Sequence, residues 1–193
     1  MEILNERLLY PSYEIIGGKK IMAPAANIKH NALGGRLYMF IGTYLDAKDC
    51  GYCFTDSIDV HFPDGSLYKP DFSVVLKENA NILNWGGDIY GVPDMVVEIL
   101  SYSTRRNDIT IKKDTYEAQG VREYWIIDPW AKIIDVYLLR DGKYFLSGEY
   151  MLPSAEDLKS MTEEERAEVK TEVPVSILEG LKIPLNYIFK WGY

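Results

Sequence analysis

A mixed α/β fold (α/β or α+β), with one mixed central β-sheet flanked by helices and an N-terminal β-hairpin, is what the 193-residue sequence predicts. Three observations lead there. Short strand-like runs such as DFSVVL and DMVVEIL alternate with segments of helical spacing. One run, Met95 to Leu100, is apolar on both faces, as a central strand covered on two sides must be. A hydrophobic share of 47% over this length suits one domain, residues 1–193, around a single core.

The elements follow in order. Tyr13-Glu14-Ile15-Ile16 and Lys19-Lys20-Ile21-Met22-Ala23 flank Gly17-Gly18, a hairpin signal that Pro24 ends. Asn27 is a good N-cap, and Leu33, Leu37, Ile41 and Tyr44 recur at helical steps behind it. Over 52–62, Phe54, Ile58, Val60 and Phe62 keep even positions, which predicts one strand before the turn Pro63-Asp64-Gly65. Residues 71–76 and 94–100 are the next two strands, and the polar, Gly-rich stretch 77–93 between them reads as a mobile loop. Ser103 or Thr104 can cap a helix over about 104–119 that Gly120 stops. REYWIID and IIDVYLL then form a strand pair around DPWAK.

Residues 154–172 hold seven acids and three bases and read as a solvated acidic insertion. VPVSILEGLKIPLNYIF after it is expected to pack back on the body. The chain carries 21 Lys and Arg against 29 Asp and Glu, a net charge of −8. That argues against a passive nucleic-acid coat but not against an enzyme with a local basic patch. No apolar run is long enough to span a bilayer, and the N-terminus lacks a basic-then-apolar leader pattern, so a cytoplasmic chain without a membrane partner is expected. Two cysteines exclude a disulfide-built scaffold. Cys50-Gly51-Tyr52-Cys53, with His30 and His61, fits no zinc-finger spacing, and two ordinary thiols are the favoured reading.

The residue that fits least is Glu98, inside the doubly apolar run. A buried carboxylate needs a partner. Arg105, Arg106 or Arg122 could supply one; otherwise Glu98 is a metal ligand or an acid–base group. Asp71, behind Pro70 at the start of the neighbouring strand, reads alone as a turn or cap residue, but with Glu98 it makes a two-carboxylate site for a hard cation. On the following helix Ile109, Lys112 or Lys113, and Tyr116 share a face, so one lysine either lays its stem on the core or aims its ammonium at those carboxylates. His30 lies on the buried face of the first helix, as a core or capping residue or a functional one. Glu14 in the hairpin is half-exposed by pattern. Between 101 and 122 five basic residues oppose three acidic ones, a local basic patch formed by Arg105, Arg106, Lys112, Lys113 and Arg122.

The stretches YEIIGGKKIMAPAANIKHN, YKPDFSVV, GVPDMVVEILSYSTRRNDITIKKDTYEAQGVREYWIIDP, IIDVYLL and ILEGLKIPLNYIF together resemble the bacterial restriction-endonuclease family known as Uma-two, within the PD-(D/E)XK nuclease superfamily. Tyr102, where the family usually has proline, and the acidic insertion at 154–172 depart from it. The resemblance implies a restriction-endonuclease-like core and Mg²⁺-dependent hydrolysis of phosphodiester bonds, with DNA as substrate and Mn²⁺ as a substitute ion. It implies Asp71 and Glu98 as metal ligands, with the carbonyl of Ile99 a third. Leu100 stands where the motif lysine usually lies, so the resemblance assigns that role to Lys112. It also raises His30 and Glu14 as catalytic candidates. Arg105, Arg106 and Lys113 are the expected nucleic-acid contacts, and a homodimer is the expected assembly if both strands are cut. The alternatives are a nuclease-fold protein that binds or regulates without cutting, and a hydrolase of small phosphoesters.

Overall fold

The computed structural model describes residues 13–22, 27–55, 58–101 and 105–190. β1 (Tyr13–Ile16) and β2 (Lys19–Met22) form the predicted hairpin, pairing Ile16 with Lys19 and Tyr13 with Met22. Gly17 and Gly18 both take positive φ, 56° and 74°, as a two-residue turn matched to strand twist requires. Helix α1 (Ile28–Lys48) starts where Asn27 Oδ1 accepts from the His30 N–H at 3.1 Å and buries Leu33, Leu37, Ile41 and Leu45. The predicted stripe therefore holds, except that Tyr44 stays at its edge and donates its hydroxyl to the Glu179 carbonyl. The predicted caps Ser103 and Thr104 lie outside the described residues.

The central sheet is mixed, as expected. It contains β3 (Gly51–Thr55), β6 (Phe72–Leu76), β8 (Met95–Ile99), β9 (Glu123–Asp128), β10 (Ile133–Arg140) and β11 (Lys143–Met151), in the order β11-β10-β9-β8-β6-β3. Only the central pair β8 and β9 is parallel. A parallel pair needs a crossover, and the helical segment between them supplies it. That segment comprises α2 (Arg105–Asn107), a π-helical turn (Asp108–Lys112) and α3 (Lys113–Gln119), and it stops at Gly120 with φ 92°.

β8 is buried along its whole length, and its two faces feed two cores. Val97 and Ile99 pack with α1, Trp125 and the C-terminal segment. Val96 and Leu100 pack with Val60, Tyr68, Tyr116 and Tyr124. A second sheet contributes to that other face, built from β2, β1, β5 (Leu67–Tyr68), β4 (Val60–His61) and β7 (Ile89–Tyr90) in that order.

Two expectations fail here. The single strand predicted over 52–62 is β3 and β4, which belong to different sheets. Alternation reports which face is covered but not which sheet covers it. The stretch 77–93 is not a structureless loop: it holds a 3₁₀ turn (Lys77–Ile82), strand β7 and a Leu83–Ile89 bridge, and Ile82 and Ile89 are buried.

The acidic stretch forms α4 (Ala155–Ser160) and α5 (Glu163–Glu168), each opened by a reciprocal cap at Ser154 or Thr162, and neither buries a residue. The chain then returns to the first core through β12 (Glu172–Pro174), β13 (Lys182–Pro184) and α6 (Leu185–Ile188).

Candidate active site

β6 and β8 run antiparallel with Phe72 beside Val97, so the residue before β6 meets the end of β8. That residue is Asp71. Its Oδ2 accepts the Ile99 N–H, and its Oδ1 lies 2.8 Å from His30 Nε2. Asp71 and His30 keep 15% and 13% of their side-chain surface open, which makes them the accessible edge of the group. His30 comes from the first turn of α1, where Asn27 fixes the helix start.

Glu98 lies deeper, on the face shared with Val96 and Leu100. Lys112 Nζ sits 3.2 Å from both of its carboxylate oxygens, and the Tyr116 hydroxyl donates to Oε1 at 2.6 Å. The same ammonium reaches Glu14 Oε1 at 2.8 Å and Asp108 Oδ1 at 3.5 Å. Glu14 is buried, contrary to its half-exposed pattern, because β1 pairs with β5 and brings its carboxylate to the Lys69 N–H at 2.9 Å. Tyrosine hydroxyls serve the polar groups around this knot: Tyr124 donates to the Asp108 carbonyl at 2.9 Å and Tyr68 to Thr115 at 2.9 Å. Among the described residues, the arginines offered as partners for Glu98 go elsewhere where ion pairs are seen. Arg105 meets Asp128, and Arg122 meets Asp94 and Glu78.

The electrostatics are lopsided. Burial pushes the Glu98 carboxyl well above the usual range; Lys112 opposes that, and Asp108, Asp71 and Glu14 reinforce it. Burial would lower Lys112, but Glu98, Glu14, Asp108 and Asp71 together outweigh it and hold the ammonium charged. Four carboxyl groups thus act on one lysine in a nearly dry site. Such an excess is relieved by a proton held at Glu98 or by a further cation.

Two sequence expectations need correction, on the helix face and on the basic patch, and the open choice between two lysines is narrowed. The inward residues of the crossover helix are Asp108, Lys112 and Tyr116, whereas Ile109 is 41% exposed. The π turn inserts a residue into the helical register and turns Ile109 outward. Of the two lysines, Lys112 enters the site, while Lys113 places its ammonium 3.8 Å from the Tyr137 ring centre. The basic patch is smaller than its residue count, because Lys112 is buried and Arg122 pairs with Asp94, at the opposite end of β8 from Glu98. Asp108 and Tyr116 are site residues that the sequence pattern does not mark as such, although each stands four residues from Lys112 along the helix.

A separate group of possible ligands, Asp59, His61 and Asp88, converges on the second sheet, where His61 stacks on Tyr90 and Lys69 pairs with Asp59 at 2.8 Å. Cys50 and Cys53 are free thiols, and burial, helped by Asp46, pushes the Cys53 thiol up to about 12.

The family model Uma2, described as "Putative restriction endonuclease", matches residues 6–168, a span that holds every candidate from Glu14 to Lys113. The chain belongs to the Uma2 family. A solved structure from Anabaena variabilis ATCC 29413, described as a putative nuclease belonging to DUF820, shares 22% sequence identity with this Uma2 chain. It covers 96% of each chain with a TM-score of 0.70, which establishes a common fold of mixed sheets flanked by helices. No curated protein matches the chain.

Proposed function

We propose that this Uma2 chain is a divalent-cation-dependent nuclease that hydrolyses phosphodiester bonds of DNA. The observation that carries the reading is the excess of carboxylates around Lys112 at the carboxyl end of a central strand, with Asp71 at its open edge. The donor set fits a hard cation: it is all oxygen, its negative charge exceeds what one lysine offsets, and the Glu98 carboxyl is raised by burial first and then by the neighbouring Asp108, Asp71 and Glu14. Asp71 and Glu98 would hold Mg²⁺, with the Ile99 carbonyl as a third ligand. Bound there, the ion supplies Lewis-acid charge to the phosphoryl group.

The remaining roles belong to the chain. Asp71 is held in place by the Ile99 N–H and His30, which makes His30 a positioning residue. Lys112 offsets charge that develops on the phosphate in the transition state and helps orient the attacking water. Glu14 and Asp108 keep that ammonium charged and pointed inward. Arg105, Arg106 and Lys113 contact phosphates on either side, and a homodimer would present two such sites to two strands. A second reading, DNA binding without cleavage, draws on the fact that Lys112 already lies on both Glu98 oxygens, where a cation would have to compete with it.

Calorimetric Mn²⁺ titration beside cleavage of a plasmid and a short nucleotide panel separates the readings. Binding and DNA cleavage, both lost in Asp71→Asn and Glu98→Gln, are expected. DNA binding with no metal uptake would favour the non-cutting protein. Cleavage of nucleotides alone would favour the small-phosphoester hydrolase.

A further inference from the structure

Trp130 is 67% exposed, outside the cores that bury Trp125 completely. Its backbone is nevertheless fixed. The N–H groups of Trp130 and Ala131 donate to Asp128 Oδ1 at 2.9 and 3.0 Å, and Asp128 Oδ2 takes Arg105 at 2.6 Å. Lys132 closes the turn at φ 55°. Against the indole lies Lys29 Nζ, 3.7 Å from the ring centre.

Two routes bring this turn to the candidate site. Lys29 precedes His30, whose ring holds Asp71. Independently, β8 and β9 run parallel with Ile99 beside Ile127, and the Leu100 N–H donates to the Ile127 carbonyl at 2.8 Å. The turn after β9 therefore emerges at the same strand ends as Asp71 and Glu98. The rim there combines a largely exposed indole, with Lys29 over one of its faces, and the Arg105 guanidinium, which pairs with Asp128.

An aromatic face beside cations is the arrangement that holds an unpaired base and its phosphate. Bases inside a duplex are already stacked and offer only their edges. We infer that Trp130 is a stacking platform for an unpaired base next to the scissile phosphate, so that single-stranded, tailed or frayed DNA is preferred over intact duplex. The inference rests on the DNA-cleaving reading above and specifies its substrate.

The test is fluorescence anisotropy of the full chain in EDTA with a labelled blunt duplex, the same duplex carrying an unpaired tail, and the free strand. Wild type should bind the tailed and single-stranded forms more tightly. Trp130→Ala should weaken those two by roughly tenfold or more, the loss of one base–aromatic stack, and leave the blunt duplex unchanged. Trp130→Phe should retain most of the affinity. Trp130→Leu, which keeps apolar bulk without a π face, should behave like Ala, and unchanged melting temperatures would certify the fold of each variant. Equal weakening on all three DNAs, or none, would overturn the platform while leaving the nuclease reading intact. A wild type that binds none of the three DNAs in EDTA would overturn the platform, and one that also fails to cleave DNA with Mn²⁺ would overturn both.

Discussion

Lys112 is the residue on which the site balances. Removing its ammonium leaves Glu14, Glu98 and Asp108 facing one another without their shared counter-ion. Lys112→Met should cost about 3–5 kcal/mol in urea unfolding at neutral pH, the range for breaking a buried ion pair. It should also cut cleavage by roughly 10² or more, because the lost charge acts on the transition state. Mn²⁺ affinity should not fall, since both Glu98 oxygens are released, and Mn²⁺ should raise the melting temperature of this variant more than that of wild type. Lys113→Met, which loses a contact over Tyr137 and one of the proposed phosphate contacts, should leave stability and Mn²⁺ affinity near wild type and weaken cleavage far less than Lys112→Met. A fully active Lys112→Met would remove the lysine from the mechanism. Placing a lysine at Leu100 to compensate meets a difficulty that motif comparison does not reveal: Leu100 is 5% exposed and part of the second core.

Glu98 yields a pH prediction at the same scale. Its carboxyl is raised, chiefly by burial. A raised carboxyl contributes stability that is fully present below the unfolded value, about 4.3, and lost as pH rises through the folded value. Glu98→Gln removes that loss. Unfolding free energies should therefore shift in favour of the variant as pH climbs from about 4.3 towards neutrality. Identical pH slopes for the two proteins over that window would show that Glu98 carries no charge strain.

Among the elements, the turn between β9 and β10 ties three parts together through Asp128. Partial burial would raise this carboxyl, but the Ala131 N–H, the Arg105 guanidinium and the Trp130 N–H together pull it below its ordinary value. Asp128→Ala should cost about 2 kcal/mol, the scale of hydrogen bonds to a charged group. A lowered carboxyl stabilises above the unfolded value and loses that contribution as pH falls through the folded one. The gap between wild type and variant should thus be full at neutral pH and shrink below about pH 3.9. A gap that stays constant into acid would mean the turn is held by its backbone alone. The π turn acts at this scale too, because it trades Ile109 for Asp108 on the inward face and so adds a carboxylate to the site.

For the molecule as a whole, the acidic stretch is separable. Neither α4 nor α5 buries a residue, and the chain comes back beside its point of departure, with Lys170 Nζ 5.0 Å from the Tyr150 ring centre. Replacing 155–168 with a short Gly-Ser linker should leave the melting temperature within a few degrees of wild type. It should also tighten DNA binding at low salt by removing like charge, an effect that fades as ionic strength rises. Loss of cooperative unfolding would show that the two helices are integral to the fold. The segment after them is another matter: Val173, Ile183 and Leu185 are fully buried, and the Ile177 N–H donates to the buried Glu123 carboxylate at 2.9 Å.

The amino-acid sequence by itself determined whatever depends on a residue and its near neighbours. The Gly17-Gly18 turn, the Asn27 cap, the Gly120 stop and the doubly covered β8 follow from backbone sterics, orphan helix N–H groups and local apolar pattern. Glu98 stood out for the same reason, as a charge where the pattern demands none. Tertiary structure alone decided which partners meet. It separated β3 from β4, buried Glu14 against a lysine far along the chain, chose Lys112 over Lys113 through one turn of π-helix, and sent Arg122 to the far end of β8. These outcomes depend on strand order and helical register, which are set by packing across the whole chain. A carboxylate's need for a partner is local, but the identity of that partner is not.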